Sequence, residues 1–168
     1  MLMSDNPYEH HPLNEAAARG DTREVAHLLS QGTSVNNRDQ YDETPLHRAS
    51  WEGHLEVVAL LLSRGAEVNS RAGTGKTPLP RAARQNNGAI VTHLLAHGAV
   101  IDPETREHET PLLWGAFTGA REACIRLLAA GADPAHTNHH GENPAQVARR
   151  RGHDDVAALI EAHLKELP

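Results

Sequence analysis

Proline recurs at one phase along this chain. Pro12, Pro45, Pro78, Pro111 and Pro144 stand 33 residues apart, and they are half of its ten prolines. The residues around them repeat too: ETPLHRAS from Glu43, KTPLPRAA from Lys76, ETPLLWGA from Glu109 and ENPAQVAR from Glu142. One step earlier stands HPLNEAAARG, from His11. Two glycine series keep the same step. One is Gly20, Gly53, Gly119 and Gly152, with Asn86 in the missing place; the other is Gly32, Gly65, Gly98 and Gly131. A period of this length marks small supersecondary units that bury their faces only by stacking on one another.

Each series has a physical reason. Thr44, Thr77 and Thr110 precede their prolines and suit a helix N-cap, whose hydroxyl accepts from an otherwise unpaired N–H. Proline fits the next position, where no N–H is needed and φ is already helical. Gly53 and its equivalents then stop the helix in a left-handed conformation, and Asn86 is the next most tolerant residue for that role. A second helix follows, with Val58, Leu61 and Leu62 on one face. Val25, Leu28 and Leu29, then Val91, Leu94 and Leu95, then Cys124, Leu127 and Leu128 fill the same slots. The second glycine series ends it. Small residues at one slot, Ala49, Ala82, Gly115 and Ala148, let neighbouring first helices approach closely.

The unit resembles the ankyrin repeat, and DETPLHRASWEGHLEVVALLLSRGAEVN, residues 42–69, is nearest to that family's T-P-L-H-x-A pattern. The resemblance runs from residue 11 to about residue 164. It implies an all-α solenoid of stacked helix-turn-helix units with short β-hairpin fingers. Units fall near 10–42, 43–75, 76–108, 109–141 and 142–168, after a flexible tail at 1–9. Departures from the pattern are local. Pro80 and Leu113 replace the motif His, His108 replaces the glycine before the motif, and Asn143 replaces Thr. Arg149 replaces the second Ala, which suits a final unit whose outer face meets water. The first unit, with His11 for Thr and the polar ARGDTREV, fits the opposite cap.

The register also explains Gly75-Lys76-Thr77, which looks like the end of a phosphate-binding loop. Gly75 is the glycine before the motif, Thr77 is the helix cap, and Lys76 shares a variable, exposed slot with Glu43, Glu109 and Glu142. Ser70 stands where the first loop glycine is required, and no apolar strand precedes it.

In the resembled family the first helices line a concave groove that binds another protein. The variable slots on that side carry the chain's bulky residues. One slot holds Glu15, Arg48, Arg81, Trp114 and Val147; another, one helical turn on, holds Ala18, Trp51, Arg84, Phe117 and Arg150. Tyr41 leads the finger slot, followed by Thr74, Glu107 and His140. Only five residues are aromatic, and four of them fall here, the fifth being Tyr8. Trp, Tyr and Arg are enriched at interface hot spots. Tyr41, Arg48, Trp51, Arg81, Arg84, Trp114 and Phe117 are therefore the expected partner-binding residues. The expected partner is an extended or helical protein segment with apolar anchors and some acidic residues. The plainer account is that bulky residues shield the groove floor.

Alternatives remain at this stage. The arginines could hold an acidic ligand or nucleic acid, although a net charge of −6 argues against a general nucleic-acid binder. In eukaryotic members of the resembled family a finger asparagine with a Leu eight residues before can be hydroxylated. Asn36 with Leu28 and Asn69 with Leu61 fit. Among the 13 histidines, His93 and His97 have helical ligand spacing, and His108, His136, His139 and His140 fall on neighbouring fingers. The expectation is no metal, no cofactor and no enzymatic activity. Cys124, the single cysteine, takes an apolar slot and suits a reducing compartment. Arg149-Arg150-Arg151 reads as a solvated capping face. The opening MLMSDNPYEHHP turns polar at once, so no signal peptide is expected, nor any membrane span. A cytoplasmic monomer, with the nucleus open, is the resulting expectation.

Overall fold

The computed structural model describes residues 11–103 and 108–166. The tail expected at 1–9 and the finger residue Glu107 lie outside the described residues. Ten helices among the described residues follow one another in pairs: α1 (Pro12–Arg19) and α2 (Thr22–Ser30), α3 (Pro45–Glu52) and α4 (Leu55–Ser63), α5 (Pro78–Arg84) and α6 (Gly88–Ala96), α7 (Pro111–Thr118) and α8 (Arg121–Ala129), α9 (Pro144–Arg150) and α10 (Asp154–Glu166). The first helices pack in series, α1 on α3 through α7 on α9, and the second helices form a parallel layer from α2 to α10. This is the helical solenoid that the period implies.

The core is the seam between the layers, filled by the recurring slots. Leu13, Leu46, Leu79 and Leu112 follow the prolines and are fully buried. Leu61, Leu94, Leu127 and Ile160 are fully buried in the second layer, as are Val25, Val58, Val91 and Cys124. Leu28, their counterpart in the first unit, is only half-buried, and no other unit among the described residues stacks on its outer side. A Cβ on Gly115 would stand 2.8 Å from the Cys124 sulfur, so the small slot is filled to contact.

The helix-stop slot serves two needs at once. Gly20 has φ +74, and a side chain there would also strike the His54 ring, whose Nε2 meets the Ala18 carbonyl at 2.9 Å. Asn86 adopts φ +59, a conformation open to asparagine, and its Oδ1 accepts from the Ala123 N–H of the next unit. Asparagine thus adds an inter-unit bond that glycine cannot make.

Between pairs the chain forms turns, with no strand among the described residues. Asp39 N–H donates to the Glu43 carbonyl and Asp42 N–H to the Asp39 carbonyl; residues 72–76 and 138–142 repeat the arrangement. Asp39 and Asn138 fasten these turns, each carboxyl or amide oxygen accepting two backbone N–H groups. The slot two residues before the capping Thr or Asn is left-handed throughout: Asp42, Gly75, His108 and Gly141 all have φ between 52 and 77.

The Lys76 slot is not uniformly exposed, contrary to expectation. Glu43 is only 6% exposed, and Glu109 and Glu142 are half-buried. The slot folds under the finger, where the Glu43 carboxylate meets Arg81 of the following unit.

The helix starts are capped unequally. In α3 the Thr44 N–H donates to His47 Nδ1, and His47 Nε2 meets the Lys76 carbonyl at 3.0 Å. In α9 Asn143 and Gln146 exchange bonds. In α5 the Thr77 hydroxyl is buried without a hydrogen-bond partner among the described residues. The cause is Pro80, which stands at the third helical position and has neither N–H nor imidazole. Pro80→His should restore both bonds. The cap contributes about 1–2 kcal/mol, and losing proline's restraint on the unfolded chain costs about 0.4–1 kcal/mol. A net gain of about 1 kcal/mol is expected, read as a Tm rise of about 2–4 °C; an unchanged or lower Tm would show that the orphaned hydroxyl costs nothing.

Candidate interaction surface

The first helices present their variable slots on one face, and the aromatic and cationic residues interleave there across units. Arg84 of α5 lies between Trp51 of α3 and Trp114 of α7, its guanidinium carbon 5.2 Å and 4.8 Å from the two ring centroids. Arg81 also approaches Trp51 at 5.3 Å, and Lys76 Nζ sits 4.1 Å from the Trp114 centroid. Phe117 meets Trp114 edge-on at 5.9 Å and carries Arg151 of the last unit at 4.1 Å. Such contacts order long side chains without burying their charge. Trp51, Trp114 and Phe117 are half-buried, and Tyr41, on the finger between α2 and α3, is 59% exposed.

The charges are largely answered from within. Arg48 pairs with Asp39 at 3.1 Å and Glu43 at 3.7 Å, and Arg81 with the other oxygen of Glu43. Lys76 pairs with Glu109 at 3.2 Å, and Arg150 with both Glu142 oxygens at 2.7 and 2.9 Å. Those bonds hold the Glu142 carboxyl below its ordinary range. Arg84 has no carboxylate partner among the described residues, only its two indoles.

Two open clefts follow. One, of ≈210 Å³, brings together Trp51, Arg81, Arg84 and Trp114 with Lys76 and Pro80. The other, of ≈370 Å³, lies between α7 and α9, and joins Trp114 and Phe117 to Leu113, Val147, His139 and His140. Tyr41 and Arg48 line neither cleft; Arg48 instead lies 5.9 Å from the Tyr41 centroid, beside Asp39. Val147, Arg150 and His140 were missed as site residues, although they occupy the same variable slots one period later. They are neither aromatic nor arginines of units two and three, the features that mark the other residues of the strip. Of the acidic partners, Glu43 was readable, with Glu15 and Glu52, as partly opposing the arginines; Asp39 and Glu109 carried no comparable signal.

The remaining singled-out residues make contacts within the fold. Cys124 is fully buried, and desolvation pushes its thiol up to about 12. Asn36 Oδ1 accepts from the Glu67 N–H and Asn69 Oδ1 from the Val100 N–H; Asp102, one period on, accepts from the Asp133 N–H. These bonds lace neighbouring fingers together. His97 Nδ1 meets the His93 carbonyl and His136 Nε2 the His108 carbonyl. No group of three or more potential ligands converges among the described residues. Nor is any helix there long and apolar enough to cross a membrane.

Compared with known proteins, the chain matches a family model described as ankyrin repeats (3 copies) over residues 2–72 and 69–138. No curated protein matches it.

Proposed function

The chain belongs to the ankyrin repeat family, whose repeats generally serve protein–protein interaction, and from that premise we propose that its concave face and finger tips bind a segment of another protein. The observation that carries this reading is the Trp51–Arg84–Trp114 stack, which leaves bulky, ordered side chains facing solvent across three units. A residue that served only to shield the floor would have no need of a cation held between two indoles. Aromatic and arginine side chains fixed in advance lose little freedom on binding, which favours them as anchors.

The polyanion reading is weaker on the same geometry. Arg48, Arg81, Lys76 and Arg150 are each matched by a carboxylate, so the face carries far less net positive charge than its arginines suggest.

The test compares the wild type with Trp51→Ala/Trp114→Ala as baits in the organism's own lysate, with circular dichroism confirming that the variant folds. The bound partner should be lost by at least about 30-fold, equivalent to ~2 kcal/mol at a hot spot. A partner held equally by both places the site on another face.

A further inference from the structure

The two clefts on the concave face share the Trp114 wall but differ in chemistry. The smaller one presents Arg84. Its guanidinium lies over two indole rings, and no carboxylate of the described chain pairs with it, so its N–H groups are open to a planar acceptor. Its other cations are already paired, Arg81 with Glu43 and Lys76 with Glu109. In the larger cleft the buried Leu113 and Val147 join Trp114 and Phe117 in an apolar wall, with Glu109, Asn138, His139 and His140 also lining it; Arg150 is clamped by Glu142 through two bonds, and Arg151 rests on the Phe117 ring. One cleft therefore asks for a carboxylate and the other for an apolar side chain.

We propose, building on the groove reading above, that the two clefts take a single extended peptide segment bearing an Asp or Glu and, four residues away, a large apolar side chain. The spacing comes from the stack itself. The smaller cleft is centred on α5, and the larger lies between α7 and α9. With packed helices about 8–10 Å apart, the centres are separated by one and a half spacings, roughly 12–15 Å. An extended chain advances about 3.3–3.6 Å per residue, so this distance is about four residues. An even separation also puts both side chains on the same side of the strand, facing the groove; a separation of three or five turns one of them to solvent. A helix about 10–12 Å across cannot enter a ≈210 Å³ cleft, whereas a carboxylate side chain can.

The test is a random peptide library selected on the full-length protein, with the winners measured by fluorescence anisotropy. Selected peptides should share an acidic residue and an apolar residue four apart. Replacing the peptide's Glu by Gln, or its apolar residue by Ala, should weaken binding about tenfold or more, and moving either by one position should do the same. Arg84→Gln should erase the difference between the Glu and Gln peptides, and Phe117→Ala should reduce the effect of the apolar residue; the peptide-side changes stand even if a protein variant folds poorly. Peptides that need Trp51 and Trp114 yet show no fixed spacing, or that ignore Arg84→Gln, overturn this inference and leave the groove reading intact. Peptides indifferent to Trp51→Ala/Trp114→Ala overturn both. A selection that yields no binding peptide overturns the extended-segment inference, while the lysate comparison still decides the groove.

Discussion

Ala116→Arg should unfold the stack, even though arginine already occupies the same slot, harmlessly, at position 149. The slot is Ala17, Ser50, Ala83, Ala116 and Arg149, one period apart. The first four are fully buried, whereas the Arg149 side chain is 57% exposed and pairs with Glu161. At position 116 a long cation would displace a methyl group inside a close-packed seam and lose its water with no carboxylate prepared to meet it. A cost above about 4 kcal/mol is expected, a large share of the total stability of a domain of this size. Because each unit touches only its neighbours, the transition should also divide, with the units before α7 unfolding separately from those after it. Arg149→Ala, by contrast, removes an exposed pair and should leave the unfolding midpoint close to that of the wild type. Urea unfolding followed by circular dichroism checks both. If Ala116→Arg unfolds at the wild-type midpoint, the slot does not lie between units.

The same contrast shows what can be read from a sequence of this kind. Helix positions, left-handed stops and core slots were legible because the period compares five versions of each position, and a deviation such as Arg149 or Asn86 then carries meaning. The half-exposed aromatics were legible for the same reason, since Trp51, Trp114 and Phe117 fall in slots whose residue changes from unit to unit while the core slots stay apolar. What was not legible is which charges meet. Glu43 looked like an exposed variable residue, but the turn fastened by Asp39 folds it beneath the finger, within reach of Arg81 from 38 positions later. Pairing of that kind depends on side-chain reach between units, which periodicity does not encode. It leaves Arg84 without a carboxylate among the described residues and moves the charge of the surface away from Arg48 and Arg81. The second cleft was missed differently, because Val147 is unremarkable as a residue and matters only as the wall opposite Phe117.

Acidification from pH 7 to pH 4 should remove about 3 kcal/mol of stability through one buried ring, that of His47. Nδ1 of this ring accepts from the Thr44 N–H at 3.2 Å and lies 2.8 Å from the Thr44 hydroxyl, and Nε2 meets the Lys76 carbonyl at 3.0 Å. That arrangement needs the neutral ring carrying its proton on Nε2; a second proton on Nδ1 would point at the Thr44 N–H. Burial is the main cause holding the imidazole at about 4 instead of 6.5, with Arg81 and Arg38 adding to it and the Lys76 carbonyl opposing. Below pH 6.5 the unfolded chain takes up a proton that the folded chain refuses until about pH 4. Stability is therefore fully present above that window and falls within it by about 1.4 kcal/mol per pH unit. His47→Gln should still accept from Thr44, as Gln146 does from Asn143, but cannot titrate. Its stability should be lower at pH 7 and flatter between pH 4 and 6.5, so the two curves converge on acidification. Parallel curves would mean that the ring is not held neutral. The bond at stake reaches from α3 to the finger that sets Lys76 over Trp114, so the loss of the neutral ring should loosen the aromatic strip before the stack itself unfolds.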